Sequence, residues 1–451
     1  MTNKKTIAAW VAMAVLSSTN TNAAVTPEEA AKLTGELTPI GAERQGNTEG
    51  TIPEWKGGLT KVLPGWPNKN NDRPNPYADD TVKFVITADN YKEHADKLTP
   101  GTVALFESYP ESFSINVYPT RRTAAFPESF YDATTANATS ASLTEGGIGV
   151  QGAKGGVPFP IPKNGQEVIW NYLLGNPNSV IRTVTAQEGV IYNNGQRQDW
   201  TFDMTVYTPY QDMASKAGDK DVLLKMALMY TQPARDAGEG VVVIDYANPS
   251  ANPRKAWSYD PGERRVRRAP SLKFDTPDRP LNVIDDVEVY SGSPERYDWK
   301  LIGKKEMYVP YNNNLLNSPN NKVSEVTTAP YIKSDLIRYE LHRVWVVEGT
   351  LKDGQRHLYK KRVKYIDEDS WRILANERYD GAGELWRIGY GYPVVATEIP
   401  LTSAGVYTNI DLKKGGYHVF GLPAEGVGYN FSAEIPKDSY FTAAALRRRG
   451  R

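Results

Sequence analysis

The chain lacks cysteine entirely across its 451 residues. Without cysteine there are no disulfides, no cysteine-based zinc sites, no thiol nucleophiles and no iron–sulfur clusters. Long hydrophobic runs are also missing, because no stretch approaches the roughly 18 consecutive apolar residues of a transmembrane helix. The fold must therefore be stabilised by burying apolar side chains, and a chain of this length has enough of them.

The chain also lacks an excess of charge of either sign, since 53 Lys and Arg residues balance 53 Asp and Glu residues. A neutral chain of mixed charges has no electrostatic footprint for nucleic acid, so we expect no nucleic-acid partner. Histidine is scarce, with four residues, and none forms the His-Glu-x-x-His pattern of zinc proteases. The serine-nucleophile elbow and the phosphate-binding loop are missing too. We therefore expect no cofactor, no bound metal and no enzymatic activity.

Some polar clusters still admit chemistry. His342 and His357 lie on adjacent predicted strands, and with Glu340 they would form a metal site; we expect them instead to be polar side chains on an exposed strand face. The acidic groups Asp285-Asp286-Glu288 and Asp367-Glu368-Asp369 lack the alternating spacing of a calcium loop. A glycosidase acid pair depends on a separation that only the fold sets. We expect both acidic groups to be solvated turns.

Residues 1–24 have the layout of a secretory signal peptide. Lys4 and Lys5 precede the apolar run Thr6–Leu16, and small residues follow it before the mature chain. No cysteine follows to carry a lipid anchor, so we expect a periplasmic protein that is not a lipoprotein. The alternative is a short hydrophobic N-terminal helix of a cytosolic protein.

Composition divides the rest of the chain into three parts. Residues 25–80 combine a short helix, capped by Thr26, with an extended arm rich in Gly, Pro and Asn. Residues 81–440 are expected to form a single β-rich domain, in which residues 132–165 make a fixed loop rich in Gly and Pro. Residues 441–451 form a basic tail, for which we expect disorder because of its terminal position.

The β-rich part shows apolar and polar residues in alternation, which is typical of strands. In the segment 336–390 at least four strands alternate in this way, separated by turns such as Lys352–Gln355. Lys220–Tyr230 is compatible with either a strand or a short helix. The 27 Tyr and 10 Trp residues suit the walls of a ligand site as well as strands. We predict a mainly β fold with minor α, containing an antiparallel meander that is apolar on one face and charged on the other.

Several segments resemble a family of secreted Gram-negative proteins known as domain of unknown function 1329. They are spread over most of the mature chain: Leu37–Glu43, Asn47–Leu59, Gly156–Asn171, Arg296–Asn312 and Tyr365–Arg387. Members of this family are often encoded beside large inner-membrane exporters and a companion outer-membrane protein. The resemblance implies these two kinds of partner and a shuttle between the membranes, and it names no substrate.

The family is in turn similar to periplasmic lipoprotein carriers of the LolA and LolB type. That similarity rests on Ala256–Gly262, Glu263–Pro270 and Glu377–Leu385. Those carriers are strongly curved, open antiparallel sheets, or half-barrels, which short helices close around an apolar cavity for acyl chains. The resemblance implies the same fold class for this chain, with an added N-terminal arm, and it implies a hydrophobic ligand or lipid as a partner.

The leading hypothesis is a periplasmic carrier or adaptor that holds a hydrophobic ligand on the apolar face of its sheet. The expected cavity wall consists of Trp200, Met204, Tyr339, Leu341, Trp345, Val363, Tyr365, Trp371, Ile373, Trp386 and Ile388. Ordinary core packing explains each of these residues as well. Two alternatives stay open, namely a periplasmic glycan-acting enzyme and an outer-membrane protein assembly factor without a small ligand.

A basic cluster follows a predicted Pro-Gly turn and consists of Arg264, Arg265, Arg267 and Arg268. One interpretation is a solvated strand edge, where charges block pairing with another sheet. The other is a patch that docks an acidic partner or a lipid headgroup. The spacing of the arginines is compatible with both interpretations.

Overall fold

We describe the protein from a computed structural model that covers residues 25–175, 179–219 and 221–450. The predicted signal peptide, residues 1–24, lies outside these described residues. The helices are α1 Pro27–Ala30, α2 Pro100–Ser108, α3 Glu128–Ser140, α4 Gly165–Gly175, α5 Val323–Val326 and α6 Ala443–Arg449. None of the helices in the described ranges has the length and the apolar character needed to cross a bilayer.

Strands make up most of the regular structure. In chain order they are β1 Phe84–Ile86, β2 Ile115–Val117, β3 Ser142–Leu143, β4 Val150–Gln151, β5 Ile181–Tyr192, β6 Arg197–Tyr207, β7 Val222–Gln232, β8 Gly240–Tyr246, β9 Lys255–Asp260, β10 Arg265–Arg268, β11 Tyr297–Pro310, β12 Tyr339–Leu351, β13 Lys361–Asp367, β14 Ile373–Tyr379, β15 Leu385–Ala396, β16 Leu401–Asp411 and β17 Gly416–Asn430. The segment that was ambiguous in sequence, Lys220–Tyr230, therefore contributes a strand, β7.

The main sheet consists of two antiparallel meanders, β11–β17 and β5–β10, which the pairing of β17 with β5 joins. Its edges are β11 and β10, and these do not pair with each other, so the curved sheet stays open. The short strands β1 and β2 extend it beside β12, where Val117 and Tyr339 form a parallel contact. The predicted fold class, a mainly β protein with a curved open sheet and short helices, is confirmed.

The two faces of the sheet carry different cores. We call the face that carries Trp200, Phe202 and Met204 of β6 the inner face, and the other side the outer face. On the outer face the meander β12–β16 packs its apolar residues against α2 and β1–β2. Helix α2 begins at this place because Pro100 occupies its first turn and the Thr99 side chain accepts from a backbone N–H.

A long irregular connection crosses the inner face. Residues 269–296, which we call the crossover segment, run from β10 at one edge of the sheet to β11 at the other. Four of its non-glycine residues have positive φ angles, among them the β-branched Val289 at 70°. Such a backbone conformation is costly for a β-branched residue and persists only where surrounding contacts hold it. The contacts of the crossover segment therefore decide how the inner face is covered.

The N-terminal part docks on the sheet as its apolar residues indicate. The helix predicted after Thr26 is present as α1, with a reciprocal cap between Thr26 and Glu29. In the arm, Ile52 and Trp55 are buried, and the indole N–H of Trp55 donates to the carbonyl of Ala124 (3.1 Å). The arm is thus an ordered layer along much of its length.

Helix α3 corrects the prediction of a loop over residues 132–165. The helix occupies the first part of that range, because small residues allow it to pack closely and Phe130 and Ala133 are buried. Its Asn137 side chain then fixes the following loop by donating to the carbonyl of Gly155 (2.7 Å). Phe159 of that loop is buried, as its apolar character indicates.

The C-terminal tail corrects a second expectation, because it is a helix and not disordered. The Thr442 side chain caps α6 by accepting from the backbone N–H of Ala445 (3.2 Å). Leu446 is fully buried on the outer face against Val242 and Tyr259. Burial of this apolar turn outweighs the loss of chain entropy that a terminus otherwise favours.

Candidate functional site

The inner face encloses a cavity of about 390 Å³ between strands β6–β8 and the crossover segment. Its apolar lining comes from alternate residues of these strands and from the crossover segment: Met204, Val206, Leu224, Met226, Leu228, Val241, Val243, Leu272, Ile284 and Val287. Alternation places these side chains on one face because successive residues of a strand point to opposite sides. Its volume falls in the range of about 300–1,000 Å³ that is typical of small-molecule sites.

A second cavity of about 130 Å³ adjoins the first. The two share several lining residues, including Leu173, Leu224 and Arg254. Leu173 comes from α4, whose Val168, Ile169 and Tyr172 are buried in the core of the inner face. The helix and the crossover segment thus form the roof over the outer strands of the second meander.

Of the eleven residues expected to form a cavity wall, the lining of the larger cavity includes Met204. Five of the others are buried in the core of the outer face: Tyr339, Leu341, Val363, Tyr365 and Ile388. Trp200, Trp371 and Ile373 are buried in the inner-face core, and Trp345 packs against that core. Trp386 is half-buried, and its indole N–H donates to Asp411 (3.1 Å). Core packing thus accounts for nine of the ten residues outside the cavity lining, and Trp386 lies at the edge of the core.

The charged face of the meander β12–β16 is buried, which corrects the expectation of a solvated turn at Asp285 and Asp286. Both carboxylates lie on the crossover segment and contact arginines of the sheet. Asp285 accepts from Arg362 (2.8 Å), and Asp286 is 2.8 Å from Arg378. Burial acts to raise the pKa of Asp285, but Arg362 and His357 outweigh it and hold the pKa below its usual range. The carboxylates fix the crossover segment on the sheet.

Further polar contacts extend this buried network. The Tyr359 hydroxyl donates to Asp286 (2.7 Å) and accepts from Arg387 (2.8 Å). Lys364 is fully buried, with its ammonium group 4.1 Å from the centre of the Tyr290 ring. Burial, with the neighbouring arginines, lowers the pKa of Lys364 well below its ordinary value. The sheet thus has more basic groups here than the crossover segment has acids.

His342 and His357 are buried in separate networks, so the expected exposed strand face is wrong for both. His357 Nε2 lies 3.1 Å from Asp285 Oδ2. The His342 ring stacks on Tyr311 with 3.7 Å between the ring centres, and its Nε2 lies 3.1 Å from Glu340. The two histidines therefore contact different carboxylates and do not share one cluster.

The group Asp367-Glu368-Asp369 is also buried, which corrects the second expected solvated turn. Asp369 accepts two bonds from Arg122 (2.6 and 2.8 Å), and Asp367 accepts from the Tyr311 hydroxyl (2.9 Å). His342, Asp367 and Asp369 offer ligand-type atoms within 4.8 Å of one another. Protein donors already contact both aspartates, and Arg122 ties this turn to the N-terminal part of the chain.

Three arginines line the cavity, and two acids, Glu188 and Asp278, are buried at its edge or in its lining. Glu188 is fully buried, 2.7 Å from His418 Nε2, and it accepts from the Tyr230 hydroxyl (2.7 Å). Asp278 lines the cavity and accepts from the Asn282 side chain (3.1 Å). Burial raises the pKa of Asp278 to about 6, with a further contribution from the negative charge of Glu188.

Sequence reasoning missed Asp278, Glu188 and Arg254, because none belongs to a recognisable motif. Arg254 precedes β9 and pairs with Asp245 of β8 through two bonds of 2.6 and 2.7 Å. One feature of the sequence could have indicated Glu188, namely that it is a charged residue at an apolar position of an alternating strand.

The basic cluster lies after a turn on a strand, as expected from the sequence. Arg265, Arg267 and Arg268 lie on the edge strand β10, and together with Arg264 they are exposed.

The protein is thus of the class with an open, curved antiparallel sheet and an apolar cavity that a helix and an irregular segment cover. A family model described as "Protein of unknown function (DUF1329)" matches residues 85–447. The chain belongs to the DUF1329 family, as its sequence segments indicate. It is 40% identical over 441 residues to an uncharacterised protein of Pseudomonas aeruginosa, with 96% of both chains covered.

Two solved structures are similar to this chain at low identity. A DUF1329 family protein from Desulfovibrio piger is 17% identical, with a TM-score of 0.41, covering 60% of this chain and 92% of the other. A LolA superfamily protein from Nitrosomonas europaea is 13% identical, with a TM-score of 0.36, covering 62% of this chain and 98% of the other.

Replacing Asp285 by Asn tests the contact that holds the crossover segment. We expect Asp285→Asn to lower the free energy of unfolding by about 3–5 kcal/mol at pH 7, because it removes the carboxylate that bonds directly to the buried Arg362 and leaves only Asp286, 3.9 Å away, as a counter-charge. The difference from the wild type should shrink as the pH falls below about 4, because the carboxyl group of the unfolded wild-type chain takes up a proton there while the folded one, whose pKa is lowered, stays charged. Urea unfolding measures this, with Asp353→Asn on an exposed turn as the control. Equal midpoints for wild type and Asp285→Asn at pH 7 would contradict the assignment.

The charge of Asp278 should affect stability in the opposite sense to that of Asp285. Because folding raises the pKa of Asp278, its ionised form destabilises the folded protein. A carboxyl whose pKa is raised by folding contributes stability at low pH, and this contribution is lost as the pH rises through about 6. Asp278→Asn keeps the shape of the neutral acid. We expect its urea midpoint to lie closest to that of the wild type near pH 4, below which the carboxyl is neutral in both states, and to exceed it increasingly up to pH 8. The exposed Asp203→Asn is the control, and a gap that is the same at both pH values would refute the assignment.

Proposed function

We propose that the protein is a carrier that binds a lipid or another hydrophobic ligand in the roofed cavity of its inner face. The observation that carries this proposal is the cavity of about 390 Å³ whose walls alternate Val, Leu and Met. Methionine side chains are unbranched and adapt to ligands of different shape. Each buried CH₂ group of a ligand contributes about 0.8 kcal/mol, so an acyl chain of ordinary length has ample driving force.

Passive binding explains the cavity without a reaction. Within the described residues, the apolar walls have no nucleophile of an assigned motif, and the arginines that line the cavity are paired with carboxylates. Release then requires a partner that opens the roof or binds the ligand more tightly. We propose the periplasm as the place of action, with an inner-membrane exporter and an outer-membrane companion protein as partners. This part of the proposal rests on the family resemblance.

A second candidate function is acid–base catalysis in the same cavity. It is favoured by Asp278, a lining carboxyl with a raised pKa, and by the nearby Glu188, which is paired with His418. Groups of this kind occur at active sites as well as in structural networks. An enzyme would convert a bound molecule, whereas a carrier would retain it intact.

Extraction of the purified protein distinguishes these functions. We expect a stoichiometric lipid from mature protein that is purified from its periplasm without detergent, extracted with organic solvent and analysed by mass spectrometry. Met226 lines the cavity, so Met226→Trp should fill it and lower the bound lipid at least about tenfold, since the loss of two buried CH₂ groups suffices for that.

The control for this experiment is Met213→Trp, because Met213 is 60% exposed and lies outside the cavity lining. It should retain the same lipid as the wild type. Absence of lipid from folded wild-type protein would contradict the carrier and favour the assembly factor. Recovery of reaction products in place of an intact lipid would favour the enzyme.

We also propose that the exposed arginines of β10 dock the protein on an anionic surface. Arg265→Glu with Arg268→Glu should abolish flotation with phosphatidylglycerol vesicles at low salt, because the variant turns the patch from attractive to repulsive. The exposed pair Lys61→Glu and Lys83→Glu changes the net charge equally and serves as the control. Equal loss of flotation in both variants would show that net charge alone matters, and a wild type that does not float would rule out lipid docking.

A further inference from the structure

The charged residues that line the cavity differ in whether they have an oppositely charged partner. Arg254 is bound to Asp245 by two bonds (2.6 and 2.7 Å), and Arg182 is paired with Glu288. These two arginines contact the cavity, but each already faces a carboxylate. A ligand with an anionic end would have to compete with a protein carboxylate for them.

Arg279 is the third arginine of the lining, and it contacts two carboxylates and two aromatic rings of the protein. It lies 3.6 Å from Glu188 and 3.5 Å from Glu239. Its guanidinium group also stacks over the rings of Trp200 (4.6 Å) and Tyr230 (4.3 Å). These contacts satisfy its charge and orient its planar group against the protein.

Asp278 is the acid of the lining that has no ion pair among the described residues. Glu239, Asp245 and Glu288 each face an arginine, whereas the hydrogen-bond donor to the Asp278 side chain is the amide of Asn282 (3.1 Å). Four carboxyl groups and three guanidinium groups therefore line the cavity. The excess group is an acid, and it lies where a ligand can reach it.

This arrangement of charges determines which polar end group of a ligand the cavity can accept. A hydroxyl group can donate a hydrogen bond to the Asp278 carboxyl whether that carboxyl is neutral or ionised. A carboxylate or phosphate end would be buried near an acid without a free cation, and burying an unpaired charge is costly. The raised pKa of Asp278 is consistent with a site that already disfavours negative charge.

We infer that the cavity binds a neutral amphiphile with a hydrogen-bond-donating end, such as a long-chain alcohol, beside Asp278 and discriminates against ligands with an anionic end. This inference rests on the proposed carrier function and names the class of ligand. The apolar part of the ligand would contact Met204, Met226 and Val241, which lie on the adjacent strands β6–β8.

Competition between two ligands of equal chain length tests the inference. Delipidated full-length mature protein is loaded with the neutral fluorescent probe N-phenylnaphthylamine, and dodecanol or dodecanoate is titrated in at pH 8. We expect dodecanol to displace the probe at a concentration at least about tenfold lower than dodecanoate, because the anion loses its hydration without gaining a free cation. Asp278→Asn should reduce this preference by improving the binding of dodecanoate.

The control variant is Asp203→Asn, an exposed acid beside Met204 in sequence, which should keep the full preference. If Asp278→Asn does not fold, Glu239→Gln removes another negative charge of the lining and should also reduce the preference. Displacement by dodecanoate at an equal or lower concentration than dodecanol would overturn the inference while leaving the carrier function intact. Failure of the probe and of both competitors to bind would overturn the carrier function together with the inference.

Discussion

The buried contact between the acids of the crossover segment and the basic side chains of the sheet is the constraint on which the rest of the inner face depends. Arg362, Lys364 and Arg378 lie on neighbouring strands with their side chains out of water. Buried cations are tolerated only when counter-charges accompany them. Asp285 and Asp286 supply these charges from an irregular segment, which is why that segment lies across the sheet. The roof of the cavity is the continuation of the same segment over β6–β8.

Much of the fold was predictable from the alternation of side chains. The meander β12–β15 and the strand nature of most of residues 180–435 follow from periods of two residues and from turn sequences. The open, curved form of the sheet was expected only from the resemblance to LolA- and LolB-type carriers. Among the helices that were not predicted, two were missed for different reasons. Helix α3 consists largely of small residues and has little apolar periodicity. Helix α6 is ordered by Val242 and Tyr259, which are distant in sequence.

The site was harder to predict because alternation shows which side chains share a face and not what covers that face. Strands β6 and β12 have similar apolar patterns, yet Met204 lines a cavity and Leu341 is buried in a packed core. The difference is made by the crossover segment, which has no periodicity of its own. Buried charges such as Arg362 look like solvated residues in a sequence, since their partners are known only once the chain has folded. For the same reason Asp278 could not be recognised from the sequence as a residue of the cavity.

The pairing of β17 with β5 has a consequence for how the chain reaches this structure. Tyr192 pairs with Gly416 and Thr183 with Asn430, so the two meanders are joined only by strands far apart in the chain. Closing such a distance costs more chain entropy than closing a hairpin, and pairings of this kind form slowly. A chain that is synthesised from its N-terminus exposes the unpaired edge of β5 until its last strand, β17, has been made. Until then, that edge can pair with the strands of other chains, which is a route to aggregation.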